Sequence, residues 1–180
     1  MVSHLRNSLH AALCGVMLLT LVGCCGPTRH AVNVTLDQQA FGGSKPAVEV
    51  VITALNDQEA AYLSEYPMSR FFSTGDTERG GLDKVVMQFG PSQPVTQSFS
   101  PANKGDWEQH WGRWERKEAK KLFVMAFLPG RFEDKPGSLD ARRQIVPLDK
   151  CKWPKGADQA IEFRLTPAKL VLETPYKQGK

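Results

Sequence analysis

Short apolar runs with a period of two, each closed by glycine, proline or aspartate, restrict this chain more than any other feature. Val32, Val34 and Leu36 alternate with polar partners, and Val48, Val50, Ile52 and Ala54 do so again after the turn-rich Gly42-Gly43-Ser44-Lys45-Pro46. A side chain that is apolar at every second position marks a strand with one buried face. Residues 84–89 and 95–99 follow, separated by Gly90-Pro91-Ser92-Gln93-Pro94, whose turn chemistry predicts a hairpin. Residues 122–128 are apolar throughout, which predicts a central strand covered on both faces. Residues 142–148, 159–165 and 169–173 bring the total to about eight strands. Asn56 and Asp57 predict the start of a helix that runs to Tyr66 and stops at Pro67, with a further helical turn over 69–72. The expected fold is mainly β: a sandwich of about eight strands with short inserted helices. At 41% hydrophobic and 23% charged residues, the chain has the means to bury one such core, and no repeat or linker divides it.

The N-terminus reads as a targeting segment. His4 and Arg6 form a weakly positive start, no acidic residue precedes Asp37, and residues 11–22 are apolar apart from Gly15 and Thr20. That run falls short of the roughly 20 residues a spanning helix needs. It ends in Leu21-Val22-Gly23-Cys24, which resembles a bacterial lipobox. The small residues let a peptidase reach the scissile bond, and the thiol of Cys24 is the group that accepts a diacylglycerol, with a further N-acyl lipid on its amine. Each buried methylene contributes roughly 0.8 kcal/mol, so two or three acyl chains anchor a protein where one does not. The alternative is a plain secretory signal whose cleavage site carries cysteines. The expected organisation is a signal peptide over 1–23, a lipidated tether over 24–30 and a single β-sandwich domain over 31–180. Cys25 and Cys151 can pair in an oxidising envelope, but the place of Cys25 on a tether favours two unpaired thiols.

A second helix is predicted with Asp106 as its N-cap and with Trp107, Trp111 and Trp114 on one face. An apolar stripe at this spacing usually packs on a core. The alternative makes the three indoles a platform for glycan or peptidoglycan. The other side carries Glu108, Arg113, Arg116, Lys117, Lys120 and Lys121. Such a cluster is usually a solvated face that complements the helix dipole, with anionic lipid headgroups as the other reading. Catalytic patterns are missing: no G-x-S-x-G, G-x-x-x-x-G-K-[ST], H-E-x-x-H or C-x-x-C occurs. Asp76-Thr77-Glu78 and Glu133-Asp134 are carboxylate pairs in turn-rich loops, where solvated surface is the expectation, although a glycosidase can place its two carboxylates far apart. Only His30 and His110 follow Cys24, so no multi-histidine metal site is expected. A net charge of +4 is too small to argue for nucleic acid. The expectation is a binding protein, not an enzyme, with no metal and no cofactor beyond the covalent lipid on Cys24.

The order of these pieces carries a resemblance. A lipobox is followed by a short alternating strand (32–36), a loop of glycine and polar residues (37–46), and a second strand (47–55). An Asn-containing helical segment, a Phe-Phe turn (68–76) and a strand–Gly-Pro–strand unit (84–99) come next. This pattern resembles the TssJ-type outer-membrane lipoproteins of type VI secretion systems. Residues 101–121 and 131–143 depart from the family pattern. The resemblance implies a transthyretin-like sandwich, lipid-anchored to the outer membrane and facing the periplasm. It also implies a partner, the periplasmic part of an inner-membrane TssM-type protein. The loop between the first two strands would make that contact, here Gln38, Gln39, Ala40, Phe41, Gly42, Gly43, Ser44 and Lys45. Phe41 has the chemistry of an apolar anchor with a polar surround. Its alternative role is to fold back and plug the edge of the sandwich.

Overall fold

In the computed structural model, which describes residues 25–154 and 159–177, the alternating runs become eight strands. In chain order they are β1 (Val32–Leu36), β2 (Val48–Leu55), β3 (Val85–Phe89), β4 (Thr96–Phe99), β5 (Lys121–Phe127), β6 (Arg143–Pro147), β7 (Ile161–Leu165) and β8 (Leu170–Leu172). They form two four-stranded sheets, ordered β4-β1-β7-β8 and β3-β2-β5-β6. The fold is the expected transthyretin-like sandwich. All pairs are antiparallel except β1 with β7, which run parallel from Val32 opposite Ile161 to Leu36 opposite Leu165.

Alternation decides which side chains meet between the sheets. Val32, Val34 and Leu36 from β1 face Val48, Val50, Ile52 and Ala54 from β2 and Leu122, Val124 and Ala126 from β5 within one buried cluster. The opposite face of the second sheet is also buried, under helices α1 (Asp57–Glu65) and α2 (Met68–Phe71). Val51, Leu55, Phe123 and Met125 there contact Ala60, Leu63, Met68 and Phe71. This explains the uninterrupted apolar run of β5: the strand is central and covered on both sides through Ala126. Burying each large apolar side chain contributes roughly 1.5–3 kcal/mol, so β2 and β5 dominate the packing. α1 opens with a full capping box, in which the Asn56 side chain accepts from the Glu59 N–H and the Glu59 carboxylate accepts from the Asn56 N–H.

Three local expectations are corrected. The connection over 90–94 does not make a hairpin, because β3 lies in one sheet and β4 in the other. Pro91 and Pro94 have no N–H to extend either ladder, so the chain crosses between sheets, and Gln97 Nε2 donates to the Gln88 carbonyl at 2.5 Å across the gap. A short helix α3 (Thr77–Gly81), unforeseen, is capped by the Asp76 carboxylate, which accepts from the Arg79 N–H. Helix α4 (Lys104–Arg116) has Asn103 at its N-cap position, with no side-chain capping bond, three residues before the expected Asp106, which sits in the first turn. No β-branched residue interrupts α4. It ends where Glu118 takes a left-handed conformation (φ 55°) and the Ala119 N–H returns to the Trp114 carbonyl.

Strand directions give the sandwich two distinct ends. At one lie Cys25–His30, α4, the exit of β6 and the segment after β8. At the other lie the β1–β2 loop, the 90–94 connection and the β7–β8 turn, joined by the Leu36 N–H to the Val95 carbonyl and the Asp37 N–H to the Leu165 carbonyl. Residues 25–30, expected to be a tether, lie packed on the first end. Cys25 and Cys151, expected unpaired, form a disulfide with Cα atoms 5.4 Å apart. The reason is local: Pro27 bridges Asp149 and the Lys150 N–H donates to the Gly26 carbonyl, which brings the two cysteines into register.

Candidate functional site

The β1–β2 loop is a compact turn rather than a free arm. Asp37 starts it: one carboxylate oxygen accepts from the Ala40 N–H at 3.0 Å and the other from Arg164 at 3.0 Å. These donors, the Ala40 amide first, hold the Asp37 carboxyl below the ordinary carboxylate range. The Phe41 N–H then donates to the Asp37 carbonyl, the Gly42 N–H to Gln39 and the Gly43 N–H to Gln38. Gly42 and Gly43 have φ of 66° and 82°, angles that favour glycine, and they reverse the chain. The Gln38 side chain donates to the Gly43 carbonyl at 2.8 Å and the Ser44 hydroxyl to the Phe41 carbonyl at 2.7 Å. Lys45 donates to the Gln93 carbonyl, which ties the loop to the neighbouring connection.

Within this turn Phe41 is half-buried and packs against the main core, so it plugs the sandwich edge. Gln38, Gln39, Ala40, Gly42, Gly43 and Ser44 are the exposed positions. Two apolar side chains that sequence reasoning did not single out lie at the same end. Val95 follows the 90–94 connection, and Phe127 is 53% exposed at the end of β5, beside Phe72 at 5.4 Å. The all-apolar run of β5 predicted cover for Phe127, but α1 and α2 stop short of it. No sequence signal distinguishes that position from the buried Phe123.

The tryptophan face is interior. Trp107, Trp111 and Trp114 are all buried and surround Phe99, with ring centroids 5.0–6.5 Å from it. Trp114 Nε1 donates to the Asp83 carbonyl at 3.0 Å. The packing reading therefore holds, and the indoles present no platform to a glycan. The basic side of this helix is largely answered by acids. Arg113 makes a two-point pair with Asp83, Lys117 meets Glu59 and Lys120 meets Asp57. Burial alone would raise the Asp83 carboxyl, but Arg113 and His110 outweigh it and hold it low.

The two carboxylate pairs expected at the solvated surface are partly structural. The Asp76 side chain is covered and accepts from the Tyr66 hydroxyl at 2.7 Å; burial first, and then this hydrogen bond, push that phenol up to about 12. Asp134 accepts from the Ser69 N–H, the Ser69 hydroxyl and Arg142, while Glu133 stays exposed beside Lys135. Cys24 and residues 1–23, which carry the lipidation and signal expectations, lie outside the described residues. Among the described residues no helix is long and apolar enough to cross a membrane.

No family model matches the chain, and no curated protein matches it. Solved structures similar to it include a type VI membrane complex (TM-score 0.48, 14% identity, covering 79% of this chain and 95% of the other). Another is the type VI secretion lipoprotein TssJ1 from Pseudomonas aeruginosa (TM-score 0.45, 10% identity, covering 86% and 99%). A third is Serratia marcescens Lip, a membrane-bound component of the type VI secretion system (TM-score 0.44, 14% identity, covering 86% and 99%). The likeness is one of fold.

Proposed function

We propose that this chain is a lipoprotein anchored through Cys24 in the outer membrane and facing the periplasm. It serves there as a non-enzymatic structural component of a type VI secretion membrane complex. Its partner in this reading is the periplasmic part of an inner-membrane TssM-type protein, held by the loop from Gln38 to Lys45. The observation that carries the reading is positional. Cys25 is fixed at one end of the sandwich and the β1–β2 loop at the other, so an anchor at Cys24 leaves the loop turned away from the anchoring membrane. The loop's exposed amides and backbone groups, with Val95 and Phe127 nearby, suit a protein contact with apolar spots in a polar surround. The glycan reading through Trp107, Trp111 and Trp114 loses its support, because those rings are buried.

One capture experiment from envelope fractions tests this. Exchanging Gln38, Gln39 and Ala40 for glycine and serine while keeping Asp37 and Phe41 leaves the core intact, and the variant is expected to remain folded and membrane-bound but to lose the TssM-type partner. Cys24→Ser is expected to leave an uncleaved precursor or a soluble protein. Undiminished capture by the folded loop variant would refute the loop's role. Failure of the unmodified protein to capture the partner, in a host that assembles the complex, would refute the assignment itself.

A further inference from the structure

Every residue from Cys25 to His30 is held to the domain. Cys25 is bonded to Cys151, Gly26 accepts from the Lys150 N–H, and Pro27 bridges Asp149. The Thr28 N–H donates to the Leu148 carbonyl, Arg29 pairs with both Glu108 and Glu115 at 2.6–2.7 Å, and His30 is buried. A flexible linker of this length would wander by about 13 Å. Here Cys24 is instead one Cα step, about 3.8 Å, from a covalently fixed residue.

The surface around that point is basic. Lys150 and Lys152 flank Cys151 on a single 3-10 turn, and the Lys177 N–H donates to the Lys152 carbonyl, which places a third ammonium-bearing residue alongside. Among the described residues none of the three takes part in an ion pair, whereas Lys117 and Lys120 on the α4 side do. The acid within the patch, Asp149, turns its carboxylate to the Cys151 N–H at 2.9 Å. On the α4 side Glu108 and Glu115 are answered by Arg29, and Glu118 lies near Lys120 in a shallow depression shared with Pro27.

We infer that the Cys25–Cys151 disulfide makes the lipid anchor a rigid foot, seating this end of the sandwich on the phospholipid leaflet with Lys150, Lys152 and Lys177 against its anionic headgroups. The inference rests on the lipidation of Cys24 proposed above. Acyl chains and a basic patch are two attractions that act on the same surface, and the disulfide makes them act together. The foot also sets an orientation. β1 runs about 17 Å from the fixed end to the candidate loop, so the loop stands off the membrane instead of sampling it.

The test is lysine footprinting of the purified mature protein, reconstituted in vesicles of phosphatidylethanolamine and phosphatidylglycerol and read by mass spectrometry. Acylation of Lys150, Lys152 and Lys177 is expected to slow about fivefold relative to the protein in neutral detergent. Lys45 and Lys169, at the opposite end, are expected to react equally in both. In the Cys25→Ser/Cys151→Ser variant the protection is expected to vanish while the protein stays on the vesicles. Equal labelling of both ends in the acylated, disulfide-bonded protein, or protection of Lys45 and Lys169 instead, overturns the foot and leaves the lipoprotein reading standing. An N-terminal peptide without acyl mass overturns both. The unsubstituted protein decides the question even where the double variant does not fold.

Discussion

Two buried basic side chains show how residue chemistry sorts structure from function here. Arg143 is fully buried and donates to four carbonyl oxygens, those of Leu63, Tyr66, Lys135 and Gly137, at 2.7–3.0 Å. It thereby satisfies the exposed carbonyl end of α1 and pins the segment before β6, a task for a planar five-donor fork that lysine cannot reproduce. His30 is buried too, but its Nε2 meets only the Leu148 carbonyl at 3.2 Å, Nδ1 has no partner among the described residues, and Trp153 lies 5.5 Å away. Burial therefore pushes the imidazole below its ordinary value of 6.5. As pH falls below that value the unfolded chain takes up a proton that the native state refuses, so stability falls with it. Urea midpoints are expected to drop between about pH 7.5 and 5.5, and His30→Gln is expected to flatten that drop. The lowered carboxylates do not contribute in this window, since they titrate near and below pH 4. Neither role was legible beforehand. Arg143 lay in a run that reads as a strand with no sign of a buried charge, and His30 in a stretch that reads as tether.

At the scale of elements, α4 is the piece whose sequence pattern and whose packing agree most closely. Its three tryptophans are spaced to share a face, and they close the sandwich end beneath Phe99. Trp111→Ala is expected to cost about 3–5 kcal/mol, the usual penalty for emptying a large aromatic site, measured by denaturant unfolding. A stable Trp111→Ala protein would show that the helix is an accessory. Strands were legible because inward and outward positions differ in polarity, as at Val32, Asn33, Val34 and Thr35. What alternation does not encode is which strand a segment pairs with. The run before Pro91 and the run after Pro94 each read correctly as a strand, yet their pairing depends on partners at residues 48–52 and 32–35. Helix α3 was hidden because Thr77–Gly81 ends in two glycines and has no buried residue to set a period. The candidate loop was legible in position from its glycines. The inward turn of Phe41 was not, since an aromatic on a loop reads the same whether it anchors a partner or closes an edge.

For the whole molecule, the closure of the first sheet depends on β7. That strand lies between β1 and β8, and β1 otherwise keeps only β4. A chain ending at residue 160 would retain β1 to β6 but leave Val32, Val34 and Leu36 without the partner strand that covers their edge. Such a chain is expected to be digested rapidly by protease where the full chain is resistant, despite lacking only the last two strands. Resistance equal to the full chain would show that the second sheet and its helices fold alone.

The parallel register of Val32 with Ile161 also bears on how a chain acylated at Cys24, as proposed above, would be built. A chain delivered N-terminus first presents residue 24 long before residues 161–165 exist to pair with β1. Pairings so distant in sequence form late and slowly. An acyl transfer at Cys24 would therefore act on a chain still open, and the bond between Cys25 and Cys151 would close only afterwards. The molecule would be moored before it is built, and its folding would take place at the membrane surface, where the exposed faces of β1 and β2 must be kept from their neighbours until the last strands arrive.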